Sequence, residues 1–97
     1  MRNSVYISGP ISGRPYEEVK REFSNAYEML FARGYKPVNP LNNGVAVNAP
    51  WEVHMAADID LLASCGKIYL LPGWERSQGA KLEVALAKRW GIEVVED

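Results

Sequence analysis

A chain of 97 residues, 47% of them hydrophobic, is long enough for one core and too short for a second, so residues 1–97 are expected to form a single domain. Acids and bases are scattered at a formal net charge of -1, which leaves no basic face for polymeric nucleic acid, and no apolar run reaches the roughly 18 residues that span a bilayer. One cysteine and one histidine exclude an internal disulfide and a Cys/His metal cluster; with no leader-like start, the expectation is a cytoplasmic protein that binds no membrane, metal or cofactor.

Ser4 to Ser8 (SVYIS) is a β-branched and aromatic run closed by Gly9-Pro10, the pattern of a buried first strand. Tyr16 to Arg33 carries Val19, Phe23, Ala26, Tyr27 and Leu30 at helical spacing, and Gly34 is a natural stop. Tyr35 to Val38 reads as a short second strand. Leu41 to Pro50 is rich in turn formers, and so long a loop in so small a domain tends to be functional, here a lid over a site. Trp51 to Ser64 predicts the second helix, and Lys67 to Leu71 an apolar strand covered on both faces. Pro72 to Gln78 is the next loop, Gly79 to Trp90 the third helix and Ile92 to Val95 the last strand. This alternation predicts a parallel α/β sandwich with its ligand site at the carboxyl ends of the strands, around Ser8 to Gly13 and Pro72 to Gly79.

Two acids fall on the wrong faces. On a helical wheel, Leu82, Leu86, Ala87 and Trp90 share one arc with Glu83 inside it, while Lys81, Lys88 and Arg89 lie opposite. In the second helix Trp51, Met55, Leu61 and Leu62 form the stripe, Asp58 sits near its centre, His54 lies on its flank and Asp60 points outward. A carboxylate on a buried face is costly unless it is paired, hydrogen-bonded or held beside a ligand. Capping a helix, bonding backbone N–H groups or pairing an arginine would each suffice, and so would catalysis, since two carboxyls in different environments are the minimum equipment for splitting a glycosidic bond.

The turns around Ser8, Gly9 and Pro10, and around Ser77 and Gly79, are candidate substrate contacts, because backbone N–H groups beside a hydroxyl at a helix start make an anion site. Neither has Walker A or dinucleotide-fingerprint spacing. Tyr6 reads as a core aromatic whose hydroxyl needs a partner, for which a carboxylate at a strand end would serve. Cys65 and His54 read as structural, and Trp74 as a surface or lid aromatic.

The segments V-Y-I-S-G-P-I, D-I-D-L-L-A-S-C and I-Y-L-L-P-G-W-E-x-S-x-G-A-x-x-E together resemble the nucleoside 2-deoxyribosyltransferase-like family, in its short bacterial and phage branch, from Val5 to about Gly91. The resemblance implies a flavodoxin-like three-layer sandwich with a small, mostly parallel sheet, assembled as a homodimer or higher homo-oligomer. It implies Glu83 as the nucleophile at the anomeric carbon of a deoxynucleoside, Tyr6 as the residue that orients it, and Asp58 as the group that contacts the base and assists its protonation. A serine at position 77 is the form found where 5'-monophosphates are hydrolysed, since an aspartate there would repel the phosphate. The expected reaction is N-glycosidic cleavage of a deoxyribonucleoside or its 5'-monophosphate, by base transfer or hydrolysis. A non-catalytic nucleotide-binding or sensing module is the alternative, and cleavage of the nicotinamide bond of NAD a third reading.

Overall fold

The strand SVYIS is buried along its whole length because it takes the centre of the sheet. In the computed structural model, which describes residues 3–95, this strand, β1 (Ser4–Ser8), is flanked by β2 (Lys36–Val38) and β3 (Lys67–Leu70), with β4 (Glu93–Val95) beyond β3. Every pairing is parallel, in the order β2-β1-β3-β4. Pro37 is tolerated because β2 is an edge strand, where a missing N–H breaks no second ladder.

Side chains alternate across a strand, and in β1 that alternation sorts the molecule into layers. Val5 and Ile7 face α1 (Tyr16–Ala32), which contributes Val19, Phe23, Ala26 and Leu30 to one core. Tyr6 faces the opposite side, where α2 (Trp51–Ala63) and α3 (Gln78–Arg89) supply Leu62, Val84 and Ala87 to the second core around Ile68. The result is a flavodoxin-like three-layer sandwich. Its element boundaries fall within about one residue of those read from periodicity. Among the described residues no helix is long and apolar enough to cross a membrane.

The inward face of α3 differs from the expected one. Leu82 and Trp90 are 41% and 45% exposed, Leu86 is half-buried, and the buried set is Ala80, Glu83, Val84 and Ala87. Small residues let the helix backbone approach the sheet and α2 closely, so contact centres on the alanines rather than on the larger leucines. Glu83 lies within both arcs, and its burial survives the correction. In α2 the buried positions are Met55, Asp58 and Leu62, while Trp51 at the helix start is exposed.

Strand order reverses between β1 and β3, whose crossovers leave on opposite faces of the sheet. A crevice opens at the carboxyl ends of such a pair. Gly9 is required there: a Cβ on it would stand 2.7 Å from Leu71 Cβ, a clash with an atom fixed to the backbone.

Candidate active site

The start of α3 is set by Ser77, whose Oγ accepts a hydrogen bond from the Ala80 N–H at 3.1 Å. Gly79 sits in the first turn, where a Cβ would come 3.2 Å from Met55 Sδ, so the glycine lets α3 begin hard against α2. One turn further on, Glu83 reaches the end of β1. There Tyr6 donates its hydroxyl proton to Glu83 Oε2 at 2.7 Å, and Ser8 Oγ donates to Oε1 at 2.6 Å. Tyr6 and Ser8 are two apart on a strand and share a face, so both reach the one carboxyl.

Glu83 is 5% exposed and forms no ion pair among the described residues. Burial pushes its carboxyl up to about 7, against the opposing pull of the Ser8 and Tyr6 hydrogen bonds, and the charge of Asp58 adds to the rise. Burial, and then the neighbouring acids, drive the Tyr6 hydroxyl far above its ordinary range, so it stays protonated as a donor.

Asp58 is the second buried carboxyl. Its Oδ1 accepts from Asn43 Nδ2 at 2.9 Å, and the same amide nitrogen stands 3.2 Å from His54 Nδ1. Burial raises the Asp58 carboxyl, with the Asn43 hydrogen bond and then the field of His54 opposing it. Asn43 comes from the segment between a short 3-10 turn (Pro40–Asn42) and α2. Leu41 of the turn and Asn43, Val45, Val47 and Ala49 of that segment form one wall of a cavity, where a lid was expected.

The cavity has a volume of about 530 Å³, in the range that holds a small organic molecule. Tyr6, Asp58 and Glu83 line it together with Gly9, Pro10, Ser77 and Gly79. Ser8, expected as a substrate contact, does not: it is 1% exposed, and its hydroxyl lies behind Glu83 and bonds that carboxyl. Trp74 also departs from expectation, packing partly buried against the core beneath α2 and α3 and not on the cavity wall. Cys65 is buried, its thiol 3.4 Å from the Leu61 carbonyl oxygen, in keeping with a structural role.

Asn43 and His54 are the site residues that sequence reading missed. His54 was within reach, because it precedes Asp58 by four residues and such pairs share a helix face. Asn43 carried no comparable signal, since Asn-Gly reads as turn chemistry. No group of three or more His, Cys, Asp or Glu among the described residues is placed to hold a metal ion.

Fold and site together define an open, all-parallel α/β domain with an acid-lined cavity at the carboxyl edge of its central strands. The chain belongs to the family described as a domain of unknown function (DUF4406), which it matches over residues 3–96. No curated protein matches it.

Proposed function

We propose that the protein cleaves the N-glycosidic bond of a deoxyribonucleoside or its 5'-monophosphate through a covalent glycosyl ester on Glu83. It does so in the cytoplasm, without a cofactor, as a homodimer or higher homo-oligomer. The observation that carries this reading is a buried carboxyl with no cationic partner among the described residues, held by two hydroxyls and facing a cavity that a second buried carboxyl shares. Acids kept only for stability are normally paired, and one left unpaired beside a cavity marks a candidate reaction centre.

Each Glu83 oxygen accepts one hydrogen bond and keeps a lone pair for attack. That oxygen bonds to the anomeric carbon as the carbon–nitrogen bond breaks. The bonding pair leaves with the base, which takes a proton from Asp58. Water then attacks the ester at the same carbon, returns a proton to Asp58 and frees Glu83; a second base in place of water gives transfer instead. The pair of acids thus works with one proton between them, and burial favours that retained proton by raising both carboxyls, Glu83 to about 7.

Ser77 takes the Ala80 N–H on its hydroxyl and the Lys81 N–H on its carbonyl, which leaves the Gln78 and Gly79 N–H groups without a partner among the described residues, on a cavity wall that also carries Arg76. This favours the 5'-monophosphate over the free nucleoside.

Incubation with deoxynucleosides and their monophosphates, followed by chromatography of free base, tests the reading. Release is expected from the wild type and only background from Glu83→Ala. Equal release by the two rejects Glu83 as nucleophile. Thermal stabilisation by nucleotides with no release from the wild type favours a binding module, and nicotinamide release from NAD the third reading.

A further inference from the structure

The chain has one histidine. His54 lines the cavity one helical turn before Asp58, and its Nδ1 stands 3.2 Å from Asn43 Nδ2. The orientation of that amide is decided by a group that can only donate: the Val45 N–H gives its hydrogen bond to Asn43 Oδ1 at 2.9 Å. The opposite end of the amide is therefore the NH2, and it has two protons. One goes to Asp58 Oδ1 at 2.9 Å and the other to His54 Nδ1. An amide NH2 accepts nothing, so Nδ1 must be the bare nitrogen of a neutral ring, and the ring proton resides on Nε2. None of the described residues bonds Nε2.

We infer that Asn43 locks His54 in its Nε2–H form and that His54 donates this proton in a hydrogen bond to a lone pair of the departing base, a ring nitrogen or a carbonyl oxygen. This rests on the reading that a base leaves from this cavity. His54 then touches the base beside Asp58, which supplies the transferred proton. Asn43 is a positioning residue that sets both groups through one amide. The wall formed by residues 41–49 therefore places the leaving-group side of the site, while β1 places the nucleophile.

Long-range proton–nitrogen NMR of the full chain, labelled with nitrogen-15 at about pH 8 and so well above the ordinary imidazole range, reads the tautomer of the single histidine directly. The expected result is a protonated Nε2 and a bare Nδ1 in the wild type, and a mixture of tautomers in Asn43→Ala. A predominant Nδ1–H form in the wild type overturns the inference. Titration of deoxynucleosides and their monophosphates into Glu83→Gln, which has no nucleophile, is expected to move the Nε2 resonance. Binding that shifts other signals and leaves Nε2 unmoved also overturns it.

Kinetics separate a donor from a structural role. His54→Ala is expected to lower release of natural bases by about 10²-fold while leaving a 4-nitrophenyl 2-deoxyriboside, whose leaving group needs no donor, within about threefold. Equal losses on both substrates overturn the assignment. If the wild type releases no base and Nε2 still moves with bound nucleoside, the glycosidase reading falls and the His54 assignment stands. If neither nucleosides nor monophosphates bind, both fall.

Discussion

Glu83 and Asp58 are both buried carboxyls on helices that cover the same face of the sheet, yet they are held by different kinds of structure. Glu83 takes its two hydrogen bonds from Tyr6 and Ser8 on β1, a strand paired on both sides. Asp58 takes its bond from Asn43, in a segment with no strand of its own. The difference matters because a central strand moves only if the sheet moves, whereas a loop side chain can shift with its backbone at small cost. Glu83, the proposed nucleophile, is held by the sheet, and Asp58, the proposed proton donor to the base, is held by the loop. Such a division would suit the proposed reaction, in which the sugar carbon is a constant and the base varies.

The largest effect that would break this comparison is thermodynamic. Glu83 is raised from 4.5 to about 7, so the folded state holds its proton more tightly than the unfolded chain does. Its stabilising contribution is therefore fully present below about pH 4.5 and is lost as pH rises through about 7. Glu83→Gln, which has no charge to bury, should exceed the wild type in stability at about pH 8 by on the order of 3 kcal/mol, with the gap closing toward pH 4. Urea unfolding at the two pH values checks this. A gap that does not change with pH means that the two hydroxyls already compensate the buried charge.

A smaller effect is expected from Gly9→Ala. The added methyl meets Leu71 Cβ at 2.7 Å and must push the ends of β1 and β3 apart. Overpacking of this kind costs about 1–3 kcal/mol, visible as a lower midpoint in thermal unfolding. Because Ser8 precedes Gly9, base release should fall further than the stability loss alone accounts for. A variant as active and stable as the wild type would show that Glu83 tolerates movement of the strand that holds it.

The smallest and most discriminating effects come from Ser8→Ala and Asn43→Ala, compared by carbon-13 NMR of the carboxyl groups. The Ser8 hydrogen bond lowers the Glu83 carboxyl and the Asn43 bond lowers that of Asp58. Removing each should raise its own acid and leave the other nearly in place, at a stability change of about 1 kcal/mol. Asn43→Ala moving Glu83 as much as Asp58 would mean that the two acids are one network and not two separately held groups.

Much of this was legible along the chain. The order of strands and helices followed from where periodicity changed and where glycine and proline interrupted it. Glu83 and Asp58 stood out because a wheel places them among apolar neighbours whichever arc is chosen. The arc itself was misjudged for α3, since a wheel ranks faces by hydrophobic size while packing rewards the small residues that permit close approach, here Ala80 and Ala87. Ser8 lies at the expected end of β1 but bonds Glu83 rather than lining the cavity, and nothing local separates a hydroxyl that faces a cavity from one that stands behind a carboxylate.

The sequence by itself determined the elements and the inward direction of both acids, because each depends on spacing within a single helix or strand. Only the tertiary structure decided the partners. Ser8 and Tyr6 lie 75 and 77 residues before Glu83, and Asn43 lies 15 before Asp58. Those separations close only when β1 takes the centre of the sheet and the loop folds back over its edge. A hydrogen bond also needs a definite atom at a definite angle, and in this chain strand order and loop path, rather than local propensity, bring those atoms together.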